Sequence, residues 1–265
     1  MIPGGLQVVS WGVATSVRDA GRSGLAHLGV SRGGAVDVAS LELGNRLVGN
    51  GASWAGFETS GGFTLRCRTP AMVAVTGSPV DVFVDGGPPV GWGAPVALPA
   101  GALLRVARVR GGARSYVCVR GGVVSSDGDV VDLGDDPLEP AALHPVAPRP
   151  LDGAVRVWPG PRLDWFDDGA WDALLSTHWE VLAASNRVGV RLAGAPLRRV
   201  RRDELPSEGL VEGAIQVPPD GQPIVMLADH PTTGGYPVIA VVDPAVLWLV
   251  AQRPPGATID FSRPL

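Results

Sequence analysis

Apolar and polar residues alternate with period two over much of the first 120 positions. Leu6–Trp11, Phe63–Cys67, Met72–Thr76, Val80–Val84, Val96–Leu98, Leu103–Val109 and Ser115–Val119 each read as a short strand. Turn signals separate them: Gly-Ser-Pro at 77–79, Asp-Gly-Gly-Pro at 85–88 and Pro-Ala-Gly at 99–101. Regular short strands with such punctuation predict a β-barrel or sandwich. One segment has a different period. Ala39, Leu43 and Leu47 recur every four residues, with Asp37 before them as an N-cap and Gly49 after them as a stop. Leu41 and Val48 widen the apolar face, so this predicted helix packs against the strands.

The second half continues the pattern. Val155–Trp158, Trp179–Ala184, Val188–Leu192 and Thr258–Phe261 read as strands, with a short helix expected within Leu163–Leu175. Leu210–Val217 and Ile224–Ala228 flank a tight turn at Pro218-Pro-Asp-Gly221, where proline presets φ and glycine accepts a positive one. Asp243-Pro244 opens a helix over Ala245–Gln252. Between the halves the chain turns acidic and Pro-rich. The expected organisation is therefore a β domain at 1–134, a linker at 135–152 and a β domain at 153–265. His144 stands between prolines in that linker as a bystander.

Composition narrows the chemistry. With 265 residues, 45% apolar and 18% charged, the chain can bury a substantial core, and its 37 glycines and 25 prolines agree with many turns. A net charge of −4 gives no broad basic field, so no nucleic-acid partner is expected. All 22 basic residues are arginine. The absence of lysine excludes a Schiff-base lysine, a Walker A lysine and any biotinyl- or lipoyl-lysine on this chain. Cys67 and Cys118 sit in alternating runs and read as small buried hydrophobes. No Cys or His spacing suggests a metal. No apolar run reaches the ~18 residues of a membrane span, and the N-terminus has no basic-then-apolar leader, so a cytoplasmic protein without a membrane partner is expected.

Three stretches carry candidate chemistry. Asp229-His-Pro-Thr-Thr-Gly-Gly-Tyr236 packs an acid, an imidazole, three hydroxyls and a Gly-Gly pair into eight residues. Its backbone N–H groups could form an anion-binding nest; the same residues would also suit a β-corner that needs glycine for geometry and hydroxyls for local bonds. The Gly-rich loop Ser16–Gly24 carries Arg18, Asp19 and Arg22, which suits a carboxylate or phosphate, or a local Arg–Asp pair. Arg198-Arg-Val-Arg-Arg202 is a basic run that reads as a solvated turn or a partner contact.

Taken together, these residues resemble the KipA family, also called the allophanate hydrolase subunit 2, C-type 5-oxoprolinase or biotin-dependent carboxyltransferase family. The resemblance lies in Val17-Arg-Asp-Ala-Gly-Arg-Ser-Gly24, Leu28-Gly-Val30, Gly34-Ala-Val-Asp37, Asn45-Arg-Leu-Val-Gly-Asn50 and Glu58, and then in Ser185-Asn-Arg187 and nearly all of Glu204–Val242. It implies a mainly β fold with a few short helices, in two cyclophilin-like β-barrel domains. It also implies a KipI-like partner (the B-type subunit), with a LamB/YcsF-like A-type partner and a small-molecule amide substrate. In the 5-oxoprolinase form the complex opens 5-oxoproline to glutamate using ATP, which the subunits share. Two alternatives come with the same resemblance. One is a KipA-like regulator that binds a KipI-like kinase inhibitor. The other is the carboxyltransferase component of a urea carboxylase-like system, whose biotin would ride on a separate carrier chain.

The resemblance further implies site positions. Glu208 and His230 are the candidates for moving a proton. Asp19, Arg22, Asp37, Asn186, Arg187, Ser207, Gln216, Thr232, Thr233 and Tyr236 are candidates for binding substrate or nucleotide, and no metal ligand is implied. Structural duties compete at some of these positions: capping for Asp37, backbone satisfaction for Gln216, turn closure for His230. Two departures stand out. A Gly-Ser-Arg-Ser-Thr segment that relatives carry after the Gly-Gly near 121 is absent, and Val238 stands where lysine is frequent.

Overall fold

In the computed structural model, residues 1–201 and 203–264 are described. Arg202, the end of the basic run, lies outside the described residues. The fold is mainly β, with three short α-helices among the described residues: α1 (Val38–Leu47), α2 (Ala170–Ser176) and α3 (Leu247–Ala251). The chain divides into two compact units. The first comprises residues 1–21 and 37–150, and the second comprises 22–36 and 151–265.

The first unit holds two sheets. One runs in the order Val123–Asp127, Val130–Leu133, Ile2–Ser10, Thr64–Cys67, Leu103–Val106, Val82–Val84, Pro89–Val90. The other runs Ser16–Arg18, Gly56–Thr59, Ser115–Val119, Ala71–Gly77, Pro95–Leu98. The alternating inward residues of both sheets, among them Leu6, Phe57, Phe63, Leu65, Val75, Leu104 and Val117, form one buried cluster. Full burial of each large side chain there contributes roughly 1.5–3 kcal/mol. Helix α1 lies on the second sheet. A Cβ placed on Gly44 would meet Cys118 Sγ at 2.7 Å and Thr76 Oγ1 at 2.9 Å, so only glycine allows this approach. Both cysteines are buried free thiols, and burial pushes the Cys67 thiol up to about 11, with Asp85 adding to the rise.

The segment 135–152, expected as a linker, is strapped to the first unit as far as Pro150. Arg120 is the buckle. Its Nη1 donates to Val48 O (2.8 Å) and Glu139 O (2.9 Å), its Nη2 donates to Pro137 O (2.7 Å), and its Nε pairs with Asp136. Further along, Ala142 N donates to Leu47 O (2.8 Å) and Val146 N to Gly93 O (2.8 Å). Proline richness marked the segment as extended, but a fork with several donors can hold extended chain by its carbonyls.

The second unit is built on an eight-stranded sheet in the order Thr258–Ile259, Trp179–Val181, Gly189–Ala193, Ile224–Met226, Ala214–Gln216, Val238–Val242, Val155–Pro159, Phe261–Ser262. The two edge strands are separated in sequence only by Asp260, so the sheet curls nearly closed. Its interior holds Val155, Val157, Trp179, Leu192, Ile215, Val225, Leu227 and Ile239. The helix expected within Leu163–Leu175 is split into a 3₁₀ turn, Leu163–Trp165, and α2, because Asp167-Asp-Gly169 interrupts the apolar face. Helix α3 starts two residues later than expected. Asp243 Oδ1 instead accepts from Ala245 N (2.9 Å), and this bond, with Arg156, holds the Asp243 carboxyl below its ordinary value. The segment 22–36, read from sequence as part of the first domain, belongs to this second unit, where Val36 joins the core.

Candidate functional site

The hairpin predicted around Pro218–Gly221 delivers the site. Gly221 N donates to Pro218 O (3.0 Å) with Gly221 at φ 77°, and Ile215 pairs with Val225 across the turn. The return strand runs into Asp229–Tyr236 and re-enters the sheet at Val238. The register against Ala214–Gln216 slips by one residue between Ile215 and Gln216, which leaves Gln216 opposite Val238 at the mouth of the loop. There the buried Gln216 side chain donates from Nε2 to Tyr236 O (3.0 Å). Gly234 lies on that amide: a Cβ there would sit 2.5 Å from Gln216 Nε2. A small ribbon then forms, with Glu208 opposite Gly234 and Gly209 opposite Thr233, and Leu210 N donating to Thr232 O (2.9 Å).

The ribbon is braced from both ends. Arg162 holds Glu208, with Nε donating to Oε2 at 3.0 Å and Nη2 on Oε1. The buried imidazole of His230 bonds Pro231 O through Nδ1 at 2.7 Å. A carbonyl can only accept, so Nδ1 carries the proton and Nε2 is the basic nitrogen of the neutral ring. Thr233 and Ser207 are exposed, Tyr236 is 45% exposed, and Thr232 is half-buried. The ribbon thus gathers Ser207, Glu208, Gln216, His230, Thr232, Thr233 and Tyr236 in one place.

At the start of the loop a second cluster forms around Asp229. Arg187 grips it with Nε on Oδ2 (2.8 Å) and Nη2 on Oδ1 (3.1 Å), and also donates to Gly34 O. The paired strands Gly189–Ala193 and Ile224–Met226 bring these residues together, and Asp229 N donates to Arg187 O (3.1 Å). Asn186 is exposed and shapes the corner, its Oδ1 accepting from Val188 N (2.8 Å) and Gly189 N (3.3 Å). Gly33 N donates to Ala228 O (2.9 Å), and a Cβ on Gly33 would lie 3.5 Å from Arg22 Nη2 and 3.9 Å from Asp229 Oδ1. Arg22, Arg187 and Asp229 therefore share one patch with the Gly33–Gly34 backbone. The nearby Arg32–Glu212 ion pair (2.9 Å) ties the same segment to the hairpin.

Two of the candidate residues belong to the first unit. Asp19 is exposed and accepts from Gly21 N (2.8 Å), closing its own turn. Asp37 is 1% exposed and caps α1, accepting from Ser40 N (3.2 Å) and Ser40 Oγ (2.7 Å), while Arg149 Nη2 bonds both carboxylate oxygens at 2.6 and 2.7 Å. Asp37 N also donates to Tyr116 Oη (2.9 Å), whose hydroxyl donates to Glu58 (2.9 Å), and Arg114 pairs with Glu58 at 3.3 Å. Burial first, then the Glu58 and Asp37 charges, hold the Tyr116 phenol well above its ordinary value.

Comparison with known proteins adds the family. The model of the carboxyltransferase domain, subdomain A and B, matches residues 28–127 and 124–263. The chain belongs to this family. It is 34% identical to the C-type subunit of 5-oxoprolinase from Escherichia coli (strain K12), over 97% of this chain and 90% of that one. The corresponding 5-oxoprolinase protein of Haemophilus influenzae is also 34% identical, over 93% and 87%. The solved structure of K. lactis urea amidolyase matches with a TM-score of 0.87 and 29% identity, covering 99% of this chain. The chain spans only 19% of that larger protein. Kluyveromyces lactis urea carboxylase matches with a TM-score of 0.88 at 28% identity, and 28% of it is covered.

Against that family background, Val238 is informative. It is 9% exposed and packs with Leu210, Ala214 and Met226 in a small apolar cluster beside the loop. Position 238 therefore contributes packing here, and cationic contacts near the loop come from arginine. With no lysine in the chain, no residue can carry biotin covalently. Among the described residues, no group of His, Cys, Asp and Glu is placed to hold a metal ion, and no helix is long and apolar enough to cross a membrane. Sequence reasoning missed Arg162 and Arg149, which stand alone among prolines and have no motif. Asp229 was named as the acid of its loop, but its pairing with Arg187 was not foreseen, because it follows only from strand register.

Proposed function

We propose that the chain is the C-type subunit of an ATP-dependent 5-oxoprolinase-type complex that opens 5-oxoproline to glutamate. In this reading it works with a KipI-like B-type partner and a LamB/YcsF-like A-type partner, and is inactive alone. The observation that carries it is the match to proteins named as the C-type subunit of 5-oxoprolinase, which runs over 97% of this chain and 90% of the Escherichia coli protein. A lactam carbonyl is a poor electrophile. Phosphorylating its oxygen turns that oxygen into a leaving group and lets water add at carbon, with ATP as the donor shared by the complex.

The residues have matching duties in this reading. Arg22 and Arg187, with the Gly33 and Gly34 backbone, face the anionic groups. Thr233, Ser207 and Tyr236 supply hydroxyls along the ribbon, Thr232 and Gln216 hold its shape, and Asn186 sets the angle of Arg187. His230 Nε2 is the proton acceptor. Glu208 serves as a second acceptor only when released from Arg162. Asp19 and Asp37 have duties within the first unit, Asp19 closing the turn of its loop and Asp37 fixing α1.

The test is co-expression with the KipI-like and LamB/YcsF-like partners and assay of 5-oxoproline-dependent phosphate release. T233V and R22A are expected to lower turnover at least tenfold while the complex still co-purifies. A stable complex with no turnover would sink the enzyme reading, and full activity in both variants would misplace the site. A second reading, a carboxyltransferase component of a urea carboxylase-like system, is favoured by the family model and by the TM-scores of 0.87 and 0.88. It requires biotin on a separate carrier chain, and carrier-dependent carboxyl transfer to urea without 5-oxoproline turnover would select it.

A further inference from the structure

The basic run lines a cleft of the second unit that the hairpin site does not use. Its walls include Pro196, Leu197, Arg198, Arg199, Arg201 and Pro219, and its volume is about 720 Å³, which falls in the small-ligand range. The run is held in place. Asp167 N donates to Arg198 O (3.2 Å), Val200 N donates to Trp165 O (2.9 Å), and Phe166 bridges Arg199 across a β-bridge. The Arg199 and Arg201 guanidinium groups lie 5.6 and 5.9 Å from the Trp165 ring.

The charges of this run are unevenly matched. Asp164 answers Arg201 at 3.0 Å. Among the described residues, no carboxylate comes within ion-pair distance of Arg198 or Arg199, and the buried Arg199 Nε has no hydrogen-bond partner. Asp220 lines the cleft, but its Oδ1 accepts from Gln222 N (3.0 Å) to close its own turn. The carboxylates Asp167 and Asp168 line a different cleft. Folded proteins seldom leave a buried donor without a partner, and neighbouring guanidinium groups repel until an anion bridges them.

We infer that this cleft binds a small anionic ligand, whose phosphoryl or carboxylate group is held by Arg198 and Arg199 while its body lies against Leu197, Pro196 and Pro219. The guanidinium fork matches either oxyanion in bidentate geometry. The inference does not rest on the 5-oxoproline reading, because none of the residues given a duty in that reading lines this cleft; only the turn at Pro219–Gly221 is shared with the hairpin.

Calorimetric titration of the whole chain with pyrophosphate, and separately with glutarate, tests it. At least one probe is expected to saturate one site, and the probe that does so identifies the preferred oxyanion. R198A and R199K are each expected to weaken that binding roughly tenfold, and R46A to leave it unchanged. Arg198 is exposed, so R198A keeps the test open should an Arg199 variant lose its fold. No saturable binding of either probe, or equal binding by folded R198A, overturns the inference.

Discussion

Asp37→Ala should cost the first unit about 3 kcal/mol, and the structure says how that cost divides. Loss of the cap on α1, made by the Asp37 oxygens on Ser40 N and Oγ, accounts for about 1 kcal/mol. The rest comes from Arg149, left without its carboxylate. Breaking a fully buried pair costs roughly 3–5 kcal/mol, but the Arg149 side chain keeps 34% of its surface exposed, so about 2 kcal/mol is the better figure here. At roughly 3–5 °C per kcal/mol for a unit of this size, the melting midpoint should fall by about 10 °C. Asn caps as well as Asp, so D37N should recover about 1 kcal/mol relative to D37A. Thermal and urea denaturation of the single variants, of R149A and of the double variant form a cycle. The Asp37–Arg149 coupling should exceed 0.5 kcal/mol. Additive losses, or a D37A midpoint within ~2 °C of the parent, would refute this account of the network.

Other expectations follow from the same geometry. R120K keeps the charge but cannot serve Val48, Pro137 and Glu139 together, so limited proteolysis should cut within 135–150 several-fold faster while the remainder stays folded. G234A should displace the Gln216 amide from Tyr236 O at a cost of about 1 kcal/mol, and G234A/Q216A should relieve the clash, as unfolding midpoints would show. The Cys67 thiol, raised to about 11 from an unfolded 9.0, favours the fold fully below pH 9. That contribution is lost as pH rises through 11, so stability should decline above pH 9 less steeply in C67A. In Y236F, tyrosinate absorbance should appear only as the first unit unfolds, since Tyr116 is buried with its hydroxyl on Glu58; ultraviolet titration checks this.

The strands and α1 were legible because their signals are local. Period-two runs such as Phe63–Cys67 and the Asp37-to-Gly49 helix signature are written within a dozen residues. The hairpin at Pro218–Gly221 was legible for the same reason. What escaped depends on partners far along the chain. Val123–Asp127 and Val130–Leu133 form a hairpin that the sequence reading did not assign, because exposed serines and aspartates dilute the alternation on its solvent face. The ribbon of Glu208–Gly209 with Thr233–Gly234 is two residues long on each side and has no pattern to detect. The patch around Asp229 needed the pairing of Gly189 with Met226 before Arg187 could be placed. The allegiance of 22–36 rests on bonds at Gly33 and Gly34, on the Arg32–Glu212 pair and on Val36 in the core, and the partners in those bonds lie far along the chain.

That allegiance sets an order of events during synthesis. Residues 22–36 leave the ribosome early, yet Ala228 and Arg187, which bond Gly33 and Gly34, emerge about 150 to 200 residues later. At typical elongation rates of roughly 5–20 residues per second, the nascent chain carries this stretch undocked for on the order of ten seconds or more. The second barrel therefore cannot be completed from its own end of the chain alone: it has to take up a piece that was made long before the rest of it.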